Sequence, residues 1–129
     1  MRRIKFRGKR IDGKGWIKNS YTLIQDGDGT WLHDNDVEKI DENTLGQFTG
    51  LCDKSGKEIY EGDIVKGFCY EDFYTGIKGN VNAVVRWIDI YAGFMFDVGA
   101  RCFHDMRDAR KIEIIGNIFD NPELLATHQ

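Results

Sequence analysis

The chain has 129 residues, of which 41% are hydrophobic and 12% aromatic, and a formal net charge of −3. That is enough apolar material for one domain, or two small subdomains sharing a core, and folding is expected to bury roughly two-thirds of the unfolded surface. The composition excludes disorder, and the short apolar runs exclude a membrane-spanning helix. Three widely spaced cysteines without a CxxC, Cys52, Cys69 and Cys102, exclude a disulfide framework.

The opening MRRIKFRGKR never reaches an apolar stretch, so no secretory signal is expected and a cytoplasmic address is. Charge is unevenly spread. Residues 1–20 hold eight Lys/Arg against one Asp, while the remainder holds ten Lys/Arg against twenty Asp/Glu. Such asymmetry suits an anion-binding segment, or a basic strand that meets the acidic face of a second copy.

In chain order, Arg3 to Lys9 alternates, with Ile4 and Phe6 facing a core and Arg3, Lys5, Arg7 and Lys9 facing water. Asp12-Gly13 turns the chain into a second strand beginning at Trp16 and Ile17, making a hairpin. Asp26-Gly27-Asp28-Gly29 is a further turn, followed by a short strand from Thr30 to His33 and a polar stretch to Thr44. The centre, TLGQFTGLCDKSGKEIYEGDIVK (Thr44 to Lys66), reads as two strands about a Lys-Ser-Gly turn. It ends in a Glu61-Gly62-Asp63 corner, where Gly62 supplies the backbone angle and Asp63 bonds nearby amides.

Gly67 to Asn80 reads as a long loop carrying Phe68, Tyr70, Phe73 and Tyr74. Val81 to Tyr91 is a long strand with Val81, Ala83, Val85 and Trp87 on one face. Ala92-Gly93 turns into a strand on which Phe94, Phe96 and Val98 alternate with Met95 and Asp97. Lys111 to Phe119 is the last strand. Helix is favoured only around Asp41 to Leu45, at His104 to Arg110, and at the end, where Asn121 caps and Pro122 begins a helical segment. The expected class is mainly β, a β-rich α+β fold. It comprises an N-terminal β-hairpin region (1–50) and a small SH3-like, partly open barrel (51–129) with short helical turns and a short C-terminal helix.

Four segments, IKFRGKR (Ile4 to Arg10), QFTGLCDKSGKEIYEGDIV (Gln47 to Val65), VVRW (Val84 to Trp87) and IEIIGNIFDNPELL (Ile112 to Leu125), together resemble the YopX family of phage and prophage proteins. The resemblance spans the chain in order and implies a single domain over 1–129. It also implies a phage-associated, cytoplasmic bacterial protein that self-associates, from a family without an established activity. It brings no catalytic residues. Cys52 before Asp53 is a departure, and Asp26 to Lys39 is variable in character.

Other chemistry-bearing patterns have plainer explanations. Asp26-Gly-Asp28-Gly begins like a calcium loop, but Trp31 and Val37 occupy the positions that an EF-hand reserves for Gly and a bidentate Glu. Cys102 and His104 lack further ligands nearby in sequence for a structural zinc site. Ser20 and Ser55 lie outside any nucleophile motif, and Glu61/Asp63 and Glu71/Asp72 carry no sign of separated pKa values. No catalytic residue, cofactor or metal is therefore expected.

Two sets of binding residues remain. Arg3, Lys5, Arg7, Lys9, Arg10 and Trp16 would neutralise phosphates and stack bases if the hairpin bound nucleic acid. Phe68, Tyr70, Phe73 and Tyr74 would anchor a protein partner. The expected function is a non-enzymatic, self-associating interaction module. A host or phage protein is a further partner class, nucleic acid a less favoured one, and no membrane is involved.

Overall fold

The computed structural model describes residues 4–71, 74–76 and 78–128 and is mainly β. The chain divides after Gly50 into two compact units.

The first unit holds β1 (Phe6–Lys9), β2 (Trp16–Ser20), β3 (Leu23–Asp26), β4 (Gly29–His33) and β5 (Val37–Ile40). A 3-10 turn, Glu42–Thr44, leads into β6 (Gly46–Cys52), which runs past the division. β1 pairs antiparallel with β2 on one side and with β6 on the other, and β3, β4 and β5 form a separate antiparallel meander. Ile17, Leu32 and Ile40 are buried together, with Phe6, Leu23 and Leu45 packed against them. Two features depart from the sequence reading. The second strand breaks after Ser20, whose hydroxyl donates to the Thr22 carbonyl, and the polar stretch contains β5. Val37 and Ile40 are too sparse an apolar signal to reveal that strand.

The second unit comprises β7 (Glu58–Tyr60), β8 (Asp63–Glu71), β9 (Lys78–Ile88), β10 (Gly93–Asp97), β11 (Phe103–Asp105) and β12 (Glu113–Asn117). The last five form an antiparallel sheet in the order β11-β10-β9-β8-β12. In a flat sheet β8 and β11 would lie about 14 Å apart. Yet the rings of Phe68 on β8 and His104 on β11 stack with centroids 4.6 Å apart. The sheet therefore curls into a half-barrel of SH3-like kind, filled by Val65, Phe68, Val85, Phe96 and Ile112 among others.

The expected loop at Gly67 to Asn80 is mostly strand. β8 continues to Glu71 and β9 starts at Lys78. Gly67 lies in the left-handed half of backbone space, at φ 130°, within an irregularity between Val65 and Phe68 that lets β8 bend. That bend turns Phe68 into the core. β9 stops at Ile88, and Asp89–Tyr91 is a 3-10 turn closed by Ala92 at φ 49°. His104 belongs to β11, and its 3-10 segment, Met106–Lys111, starts after Asp105, whose carboxylate caps the Arg107 amide. Pro122–His128 is also 3-10; the Asn121 carbonyl accepts from the Leu124 amide, and the Asn121 side chain accepts from the Asn117 amide.

Candidate functional site

The basic hairpin is folded differently from a wet cationic strand. Lys5 and Arg7 are 4% and 5% exposed, whereas Ile4, expected in the core, is 52% exposed. The Lys5 ammonium donates to Asn19 Oδ1 at 2.9 Å and sits 4.7 Å from the Phe48 ring centre. The Arg7 guanidinium lies over Trp16 at 5.1 Å, and Lys9 approaches the same ring at 5.8 Å. Cationic heads set against aromatic rings explain why the alternation misled: a Lys or Arg can be buried along its methylene stem when its charge meets a ring face. Arg10 pairs with Asp12 at 2.7 Å and Glu38 at 3.3 Å. The Lys14 amide and the Arg10 guanidinium together hold the Asp12 carboxyl below the usual carboxylate range. Lys5, Arg7, Lys9, Arg10 and Trp16 are thus brought together in the first unit. Arg3 lies outside the described residues.

The central hairpin is built on two buried carboxylates. Asp53 Oδ1 accepts the Ser55 and Lys57 amides, each at 2.9 Å, and Oδ2 accepts the Ile114 amide at 2.9 Å. Burial opposes its charge, but the Ile114, Lys57 and Ser55 amides and the Lys57 ammonium prevail and hold its pKa below the ordinary value. Asp63 Oδ2 accepts the Tyr60 amide at 2.7 Å across the corner, with Gly62 at φ 93°. The Gly62 amide donates to Val85 and its carbonyl accepts from Ile118. These carboxylates bind backbone, so their chemistry is architectural.

The four aromatics expected to anchor a partner part company. Phe68 is core, packed on Phe96 and His104. Tyr74 is 94% exposed. Phe73 lies outside the described residues, and Tyr70 is described by its backbone alone, opposite Gly79.

A different apolar surface surrounds the β9–β10 turn. Trp87, Ile90 and Tyr91 are 45%, 86% and 58% exposed. Trp87 meets Phe94 edge to face at 5.2 Å, and its indole donates to Asp89 Oδ1, which fixes the ring at the tip. Tyr91 meets Phe103 of β11 in the same manner at 6.0 Å. The sequence signal was the WIDIY run (Trp87 to Tyr91), read as strand because β-branched and aromatic residues favour that state.

The YopX protein family model matches residues 5–126. This chain belongs to the YopX family. The crystal structure of protein EF1440 from Enterococcus faecalis is similar, with a TM-score of 0.63 and 23% identity over 97% of this chain and 99% of that one. That likeness shows a shared fold. No curated protein matches the sequence.

Within this YopX-family chain, no helix among the described residues is long and apolar enough to cross a membrane. Also among the described residues, no group of three or more His, Cys, Asp or Glu side chains is placed to hold a metal ion. What the described surface does present is the aromatic tip, carried by the β9–β10 hairpin and touching β11, the last strand of its sheet, through Phe103.

Proposed function

We propose that this YopX-family chain is a non-enzymatic phage accessory protein that acts as an interaction module and self-associates through the β9–β10 tip of its second unit. One observation carries the reading: Trp87, Ile90 and Tyr91 are each exposed within five residues of the β9–β10 turn, while Phe94 and Phe103 meet two of their rings. Large apolar side chains clustered on a surface, and especially rigid Trp and Tyr, favour a protein contact. A second copy is the favoured occupant because the tip borders a sheet edge. Two such edges related by a two-fold axis are complementary to each other without further design.

Nucleic-acid binding by the basic hairpin draws less support, because Lys5, Arg7 and Arg10 face rings and carboxylates of their own unit. Light scattering on the eluting protein tests the proposal across a concentration series. The native chain should associate as concentration rises, and Ile90→Asp should elute as a monomer. A native chain that stays monomeric at every concentration overturns it.

A further inference from the structure

The second unit carries a knob and a recess at opposite ends of one hairpin. The knob is the turn that joins β9 to β10, where Ile90 is 86% exposed. The recess is a cavity of about 520 Å³ lined by Cys69, Val81, Val98, Cys102 and His104, with the Gly99-Ala100 turn at its edge. Val81 is almost fully buried and Val98 packs against the core, so two of its walls are apolar. A cavity of that size seats a drug-sized body, which leaves room for Ile90 and a neighbouring ring.

Strand register fixes where the two features stand. Ile88 pairs with Gly93 beside the turn, and Val84 pairs with Asp97 towards the far end. Val81 lies further still, about 24 Å from Ile88 at the usual strand rise, so knob and recess of one copy are too far apart to meet. β11 runs beside β10 with Asp105 opposite Met95 and Phe103 opposite Asp97. Its Asp105 end therefore points to the tip and its Cys102 end to the cavity. A two-fold axis at this edge reverses the second copy's strand and sets the tip end of one copy level with the cavity end of the other. The charges agree with that placement. Asp89 stands exposed in the tip, and Arg101 stands exposed between the cavity-lining Ala100 and Cys102. Opposite charges across a contact fix its register.

We propose, on the reading that the chain self-associates through its tip, that each tip seats in the cavity of a second copy, with Ile90 against Val81 and Val98 and Asp89 against Arg101. The contact is reciprocal, so it closes at two copies. The cavity is thus the receiving half of the interface.

The cysteines report on it, since all three are exposed in the single chain but only Cys69 and Cys102 line the cavity, leaving Cys52 as a control. The intact chain is labelled with iodoacetamide from dilute to concentrated solution. Peptide mass spectrometry follows each cysteine while light scattering records the associated fraction. When about nine-tenths of the chain is associated, Cys102 should label at least about fivefold more slowly than in dilute solution, with Cys52 unchanged. Arg101→Glu should need at least about tenfold more protein to associate, and adding Asp89→Lys should restore most of that loss. A chain that stays monomeric throughout overturns both this inference and the reading beneath it. Association in which Cys102 labels as fast as in dilute solution, or to which Arg101→Glu makes no difference, overturns the receiving site and leaves the tip reading standing.

Discussion

The Lys5 ammonium sits 4.7 Å from the centre of the Phe48 ring and also donates to Asn19 Oδ1. A cation so enclosed belongs to the framework of the first unit. Its attraction to the ring is measurable through a double-mutant cycle of Lys5→Met and Phe48→Leu, read by urea unfolding. The coupling should be about 0.5–2 kcal/mol, the range for a cation over an aromatic face. Additive losses would show that the ring merely fills space.

Asp53 should make stability depend on acid. Its carboxyl titrates below the ordinary value in the folded chain, so it binds fewer protons folded than unfolded over that interval. The contribution is therefore fully present above the unfolded value of about 3.9 and is lost as pH falls through the folded value. Asp53→Asn should lower stability near neutrality by about 1–3 kcal/mol, since one oxygen no longer accepts its amides. The gap between native and variant melting curves should narrow below about pH 4. A gap independent of pH would contradict this account.

Gly67→Ala should be among the more disruptive single-methyl changes. At φ 130° a Cβ would meet the Lys111 carbonyl oxygen at 3.0 Å and the Ile112 backbone at 3.1 Å. The loss should exceed about 1 kcal/mol in denaturant unfolding, because backbone strain and a contact with main-chain atoms act together.

Ile90→Ser should leave the melting temperature nearly unchanged, with stability altered by no more than about 0.5 kcal/mol. The side chain is 86% exposed, so little packing is lost. A marked destabilisation, measured by calorimetry under conditions where the chain is monomeric, would show that the tip supports the fold.

The parts of the fold legible in the sequence are those where the deciding chemistry is local. Gly62 and Asp63 specify their corner within a few residues, and Pro122 marks the start of a helical segment. Val81, Ala83 and Val85 declare a buried strand face by alternation alone. Residues whose surroundings come from distant strands were opaque. Lys5 read as wet because Phe48, which covers it, lies on another strand. Phe68 read as loop because the bend at Gly67 becomes intelligible only when β8 wraps towards β11. Of the candidate site residues, Lys9, Arg10 and Trp16 were recognisable as a cluster. The pairing of Arg10 with Glu38, and the exposed tip at Ile90, depended on strand register that no short motif encodes.

Asp53 ties a turn to β12, and its Ile114 partner follows it by 61 residues. At about 5–20 residues per second, the ribosome takes roughly 3–12 s to make the intervening chain. For that interval the hairpin at Asp53 has been synthesised while one of its amide donors has not. The second unit should thus close late, when β12 pairs with β8. A nascent chain arrested before Ile114 should remain more open to proteolysis around Asp53 than one arrested well beyond it.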